Sequence, residues 1–225
     1  IMSRRRFGLL GKDIGHSFSA GYFTARFAKD GATDCTYENF DLPNIEQFPT
    51  FIKENPDLSG LNVTIPYKEA IIPYMNELDP VAAEIGAVNV LKRLQDGSWK
   101  GYNSDAFGFS KTLELCKLPW ALRGKKAMIF GSGGSSKAIR FVLKQHDVDF
   151  KVVSRGGDCT YQSLTRDQMA HYQIFVNCTP VGMYPQTEAK LPLPFNGFCE
   201  GQWVIDLIYN PEKTMLMREA DRKST

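Results

Sequence analysis

The sequence lacks an excess of charge of either sign: 27 lysines and arginines stand against 25 aspartates and glutamates, a net of +2. Nucleic-acid binding draws on a clustered basic surplus that releases counterions from phosphates, so the balance argues against that class of partner. The one run of cations, Arg4-Arg5-Arg6, abuts Phe7-Gly8-Leu9-Leu10 and reads as a solvated lead-in to a strand. Cysteine is sparse. The five residues, at 35, 116, 159, 178 and 199, are odd in number and never form C-x-x-C, which argues against a zinc knuckle and a disulfide framework and leaves reduced structural thiols. The three histidines include no pair at metal-ligand spacing, so no metal is expected. No apolar run approaches the roughly 18 residues of a membrane span, and the N-terminus lacks a signal peptide's apolar stretch, so a cytoplasmic protein is expected. A P-loop is excluded, because G-x-x-x-x-G-K-[ST] does not occur.

What is present suits packed α/β architecture. The chain has 225 residues, 43% of them apolar, enough for one large domain or two small ones. Strand patterns at 6–10, 35–40 and 60–64 alternate with helical patterns at 17–31 and 45–55, the latter broken at Pro49, and this alternation implies parallel pairing. Asp96-Gly97 between 88–93 and 99–102 signals a hairpin, since both residues accept turn conformations. Ser104 or Asp105 is placed to cap a helix over 107–117, and a break follows at Leu118-Pro119-Trp120. Beyond it come strands at 126–130, 150–154, 173–178 and 202–207, with helices at 135–146 and 161–171. The boundary falls near 102–105, giving domains 1–103 and 104–225. Trp99, Trp120 and Trp203 read as core and linker packing, and His146 and His171 as helix-end residues.

The second half carries a dinucleotide signal. Gly131-Ser132-Gly133-Gly134-Ser135-Ser136 follows an apolar strand and opens a helix. Gly131 suits the tight turn, Gly133 admits close approach of a pyrophosphate to backbone amides, and Ser136 is small enough for close packing at the third glycine position. Where a fold preferring NAD carries a carboxylate, the next strand ends Val152-Val153-Ser154-Arg155, offering a hydroxyl and a planar cation to a 2′-phosphate. NADP is therefore expected as the cofactor.

The first half gathers polar groups suited to a small hydroxylated acid. Ser17 and Ser19 precede a helix whose N-terminus favours a carboxylate. Asn62 and Thr64 are two apart at a strand end and share a face. Lys68 follows a proline turn and either stays outside in water or, in a pocket beside Asp105, becomes a proton donor for a carbonyl oxygen. Asn89 and Asn103-Ser104-Asp105 complete the set.

These strings together resemble a family. Asn62-Val-Thr-Ile-Pro-Tyr-Lys68, Gly86-Ala-Val-Asn89, Asn103-Ser-Asp105, the Gly-Ser-Gly-Gly turn and Asn177-Cys-Thr-Pro-Val-Gly-Met183 stand in the order and spacing of shikimate dehydrogenases, over about residue 7 to the last. The resemblance implies an open α/β substrate domain followed by a Rossmann-type domain, and reversible reduction of 3-dehydroshikimate to shikimate by NADPH in aromatic amino acid biosynthesis. It implies that Ser17 and Ser19 bind the substrate carboxylate, that Asn62, Thr64, Asn89 and Asp105 bind ring hydroxyls, and that Lys68 and Asp105 form the catalytic pair. It places Gly131 to Ser136 on the pyrophosphate, Ser154 and Arg155 on the adenosine phosphate, Thr179, Val181 and Leu207 on the nicotinamide side, and Tyr209 near the substrate. His16 takes a packing or hydrogen-bonding role.

The sequence also departs from the family. Ser154-Arg155-Gly156-Gly157-Asp158 stands where members commonly read Asn-Arg-Thr and a second basic residue, and Ser104 replaces a threonine. A glycine–methionine segment and a substrate-binding glutamine on a C-terminal helix are not reached by Thr225, so an incomplete substrate site is expected within 1–225. The altered loop motivates an alternative, a quinate/shikimate dehydrogenase accepting NAD. A methylene-tetrahydrofolate dehydrogenase shares the two-domain plan and a lysine, but Ser17-Phe18-Ser19 and Asn103-Ser104-Asp105 favour the shikimate reading. A non-catalytic nucleotide-binding sensor is the alternative of another class, and Lys68 with Asp105 argues against it. The partners expected are the small-molecule substrate and either no second subunit or one identical subunit, with no nucleic acid and no membrane.

Overall fold

The computed structural model describes residues 4–117 and 122–222, so Trp120 and the break expected at Leu118-Pro119-Trp120 lie outside the described residues. The chain divides into two compact units, Ile1–Asp105 and Ala106–Thr225.

The first unit contains β1 (Arg5–Gly11), α1 (Ser19–Lys29), β2 (Cys35–Asp41), α2 (Phe48–Glu54), β3 (Leu58–Val63), α3 (Tyr67–Ala70), β4 (Glu77–Leu78), α4 (Pro80–Ile85), β5 (Val90–Arg93) and β6 (Trp99–Tyr102). Its sheet runs β2-β1-β3-β5-β6-β4. Pairing is parallel across β2, β1 and β3, but β3–β5 and β5–β6 are antiparallel. The sheet is therefore mixed: β1, β2 and β3 pair in parallel as the alternation implied, and the Asp96-Gly97 hairpin enters antiparallel beside β3. The Asp96-Gly97 turn, with Gly97 at φ +85°, reverses the chain between β5 and β6. Pro49 does not break a helix. It sits in the first turn of α2, where the missing N–H costs nothing, and a 3₁₀ turn at Ile45–Gln47 precedes it.

Two apolar layers cover the sheet. Leu10, Phe48, Leu58, Ile71 and Leu91 form the main core, with Trp99 buried among them. A smaller cluster of Leu9, Ile14 and Tyr37 lies under Phe23 and Phe27 of α1. Helix α4 shows how local sequence sets its limits: the Asp79 carboxylate accepts the Val81 N–H at 3.0 Å, Pro80 fills the first turn, and Gly86 ends the helix at φ +71°.

The short α3 is fixed by its first residue. Buried Tyr67 donates its hydroxyl to the Leu42 carbonyl at 2.5 Å, and burial pushes that hydroxyl's pKa up. Tyr67→Phe leaves the carbonyl without this donor and is expected to cost about 1–3 kcal/mol. Denaturant unfolding measures it, and an unchanged midpoint would count against this anchoring of the helix that bears Lys68.

Helix α5 (Asp105–Leu115) begins where the first unit ends. The second unit then continues with β7 (Lys126–Phe130), α6 (Gly134–Gln145), β8 (Asp149–Val153), α7 (Arg166–Ala170), β9 (Ile174–Asn177), β10 (Trp203–Asp206) and α8 (Met215–Asp221). Its sheet is parallel, in the order β10-β9-β7-β8. The central strands read Ala-Met-Ile-Phe and Ile-Phe-Val because parallel strands are buried on both faces. Trp203 is half-buried on the outer strand.

The helix expected over 161–171 is two pieces, a 3₁₀ turn at Tyr161–Ser163 and α7. Thr160 and Thr165 each begin a turn with its own capping box, Thr165 exchanging backbone and side-chain bonds with Gln168. Among the described residues no helix is long and apolar enough to cross a membrane, and no three His, Cys, Asp or Glu side chains cluster to hold a metal ion.

Candidate active site

Within the first unit, Lys68 and Asp105 meet across 37 residues of sequence. Lys68 follows the Tyr67 anchor, and its carbonyl accepts the Val88 N–H at 2.7 Å, tying α3 to the segment that enters β5. That segment is held on its other side by the Asn89 N–H on the Tyr102 carbonyl and the Asn103 amide on the Ala87 carbonyl. The result is a direct ion pair: Lys68 Nζ donates to Asp105 Oδ2 at 2.7 Å. The pair is only partly screened, with side chains 14% and 26% exposed.

Asn89 locks the carboxylate. Its Nδ2 donates to Asp105 Oδ1 at 2.8 Å and to the Ser104 hydroxyl at 2.9 Å, while its Oδ1 accepts the Ser104 N–H at 2.8 Å. A buried amide with two donors and an acceptor used in this way has a fixed orientation. The hydroxyl that Ser104 shares with threonine is the group Asn89 uses.

Of the other polar residues singled out in the first unit, Ser17 and Ser19 stand at the start of α1, and Asn62 and Thr64 at the C-terminal end of β3. The Ser17 hydroxyl accepts the Ser19 N–H at 3.2 Å at the start of α1, and both serines are half-buried. Asn62 is the penultimate residue of β3, two residues before Thr64, and its Oδ1 accepts the Tyr37 hydroxyl at 2.8 Å. Tyr209 belongs to the second unit and is 69% exposed.

In the second unit the glycine-rich turn joins β7 to α6. Gly131 takes φ +99°, and a Cβ there would stand 3.0 Å from Thr179 Cγ2 and 3.2 Å from the Cys178 carbonyl, so glycine is required by both conformation and space. At Gly133, the N-cap of α6, a Cβ would meet nothing within 4 Å. Open space before a twelve-residue helix with no acid in its first turn suits a pyrophosphate, so these residues fit a dinucleotide. Ser136 is fully buried, with its hydroxyl unpartnered among protein atoms. Its burial suits the close packing of helix on sheet that its small size allows. Ser154 is buried at the end of β8 and Arg155 is exposed beside it. Burial raises the pKa of the nearby Tyr161 phenol, while the charge of Arg155 pulls it down.

A buried polar chain supports the loops after β9 and β10. Asn177 Oδ1 accepts both the N–H and hydroxyl of Thr179, at 2.9 and 2.7 Å, and its Nδ2 donates to Asp206 Oδ1 at 3.1 Å. Asp206 also accepts the Ile208 N–H at 3.0 Å and the Thr214 hydroxyl at 2.6 Å. Thr179, Val181 and Leu207 are thereby fixed on neighbouring turns, Val181 donating its N–H to the Thr179 hydroxyl and Leu207 its N–H to the Asn177 carbonyl. Sequence reasoning missed Asp206 and Thr214. An acid ending an apolar strand, eight residues before a threonine that caps a helix, was the available signal.

Residues 9–91 match the family described as the shikimate dehydrogenase substrate binding domain. Over 236 residues the chain is 32% identical to the shikimate dehydrogenase (NADP(+)) of Shouchella clausii, covering 97% of this chain and 84% of that relative. The chain belongs to the shikimate dehydrogenase family. Among solved shikimate dehydrogenases, the Thermus thermophilus enzyme in complex with NADP(H) and shikimate is 30% identical with a TM-score of 0.81, over 97% of this chain and 84% of that one. The Listeria monocytogenes enzyme in complex with shikimate and NAD is 28% identical with a TM-score of 0.77, over 98% and 84%. The segment matching the shikimate dehydrogenase substrate domain contains Ser17, Ser19, Asn62, Thr64, Lys68 and Asn89; Asp105 lies beyond it.

Proposed function

We propose that this protein catalyses the reversible reduction of 3-dehydroshikimate to shikimate with NADPH, a step towards aromatic amino acids. The observation that carries the reading is the Lys68–Asp105 ion pair, held by Asn89 and Ser104, in a unit where the end of β3 supplies Asn62 and Thr64 and the start of α1 the two serines. Ser17 and Ser19 take the substrate carboxylate, and Asn62, Thr64 and Asn89 take ring hydroxyls. Tyr209 is assigned to the substrate as well. Gly131, Ser132, Gly133, Gly134 and Ser135 hold the pyrophosphate, Ser154 and Arg155 the adenosine phosphate, and Thr179, Val181 and Leu207 the nicotinamide side.

When bound, the reduced dinucleotide supplies a hydride to the carbonyl carbon. Negative charge then grows on the carbonyl oxygen, and Lys68 stabilises it with a positive charge and a transferable proton. Asp105 aims the ammonium and accepts a hydrogen bond from a substrate hydroxyl, so the two groups act as one coupled pair. In the reverse direction the pair takes the proton from the shikimate hydroxyl. A cytoplasmic setting fits five thiols that form no disulfide among the described residues.

Arg155 is the group that favours NADP, and the glycines that follow it give the 2′-phosphate no second cation. Steady-state oxidation of shikimate and of quinate, each with NADP and with NAD, tests the assignment. The expected result is the highest kcat/KM for shikimate with NADP, and Arg155→Ala raising the KM for NADP about tenfold while that for NAD stays level. Equal efficiency with the two cofactors would favour the dual-cofactor quinate/shikimate enzyme.

A further inference from the structure

Tyr37 lies in β2, two strands away from Asn62, and nothing in its own neighbourhood of sequence marks it for chemistry. The registers explain how the two meet. Phe7 of β1 is opposite Tyr37 on one side and Leu9 of β1 opposite Asn62 on the other. Side chains alternate along a strand, so Phe7, Leu9, Tyr37 and Asn62 share the face that α1 covers. Two strand spacings and a two-residue offset along the strands separate Tyr37 and Asn62, about 11–12 Å from backbone to backbone. Only a long side chain with a polar tip spans that distance, and the phenol does so, its hydroxyl reaching Asn62 Oδ1 at 2.8 Å.

The ring is held along its length. Phe23 of α1 stacks on it with centroids 4.5 Å apart and planes 17° from parallel, and Leu9 and Ile14 pack in the same cluster. Tyr37 is 8% exposed and Asn62 half-buried. The hydrogen bond therefore originates in an apolar pocket and acts on a residue at the strand end. A primary amide is planar, with one acceptor and one donor end. Donation into Oδ1 selects one of its two orientations and commits Nδ2 to the other fork as a donor.

We propose that Tyr37 is a positioning residue for substrate binding: it fixes the Asn62 amide so that Nδ2 is presented as a hydrogen-bond donor to an oxygen of the hydroxylated ring. The inference rests on the reading above, in which Asn62 contacts the substrate. Without the phenol hydroxyl, the amide samples both orientations and offers the ring an acceptor for part of the time. Binding weakens, while the proton transfer at Lys68 and Asp105 is left intact.

The test is a double-mutant cycle on the whole chain, reading KM for shikimate, KM for NADP, kcat and the melting temperature. Tyr37→Phe keeps the ring on Phe23 and is expected to raise KM for shikimate about five- to tenfold, the worth of one hydrogen bond, with kcat and KM for NADP within twofold of wild type. Asn62→Ala is expected to raise the same KM at least as much, and adding Tyr37→Phe to it to change nothing further. An unchanged KM in Tyr37→Phe, where Asn62→Ala does raise it, overturns the positioning role and leaves the substrate role of Asn62 standing. Equal effects of Tyr37→Phe with and without Asn62 also overturn it, because the tyrosine would then act by another route. A wild-type KM in Asn62→Ala removes Asn62 from the substrate site, and this inference falls with it.

Discussion

Lys68→Ala lowers kcat by about 10²–10⁴-fold, the usual contribution of a positioned proton donor, while shikimate still binds. The reason lies in how the site divides its work. The proposed carboxylate and hydroxyl contacts come from Ser17, Ser19, Asn62 and Thr64, whose role in binding is separate from the proton transfer assigned to the ammonium. Asn89 continues to hold Asp105 Oδ1 at 2.8 Å after the lysine is cut back, so the carboxylate stays where it is. What is lost is a cation with a transferable proton beside the developing oxyanion. Turnover measured beside shikimate affinity by calorimetry separates the two effects. Wild-type turnover in the variant would remove Lys68 from the mechanism.

Asp105→Asn is expected to lower kcat about 10²-fold despite its nearly identical shape. The carboxylate receives two donors, the Lys68 ammonium on Oδ2 and the Asn89 amide on Oδ1. An asparagine offers one oxygen and one NH2, so whichever way it turns, one of those donors faces another donor. If the oxygen serves Asn89, the lysine loses its guide; if it serves the lysine, the Asn89–Ser104 lock opens. A buried donor without an acceptor costs about 1–3 kcal/mol, so the melting temperature should fall as well. Wild-type kcat with a lowered melting temperature would show that Asp105 is only a structural partner.

The parts of this account that could be read in the sequence are those set by local pattern. The apolar runs Met128-Ile129-Phe130 and Ile174-Phe175-Val176 become the buried central strands of the second sheet. The glycine turn was legible because Gly131 needs both a positive φ and the space of a missing Cβ. The resemblance to the family implied the pairing of Lys68 with Asp105, and the two meet in a 2.7 Å ion pair. Illegible were the choices that depend on distant chain. Antiparallel entry of β5 beside β3 follows from pairing Asn62 with Val90, which no local alternation encodes. The two-residue β4 is too short to carry a period. The break between Tyr161–Ser163 and α7 was written locally, in Thr165 and Gln168, and was outweighed by the helical look of the segment. At Ser136 the motif suggested close packing and the resemblance a place on the pyrophosphate, and the residue is fully buried. Tyr37 on Asn62 and Asp206 on Asn177 join residues 25 and 29 apart, and only the sheet registers bring them together.

The central claim is that the Lys68–Asp105 site of this chain carries out shikimate dehydrogenase chemistry. It is tested most directly by following reduced-nicotinamide absorbance when the protein is mixed with 3-dehydroshikimate and NADPH, with Lys68→Ala in parallel. The account predicts substrate-dependent loss of absorbance in the wild type and a rate at least 10²-fold lower in the variant, within the range expected for a lost proton donor of about 10²–10⁴-fold. Equal rates in the two proteins, or no substrate-dependent change in the wild type, would contradict it.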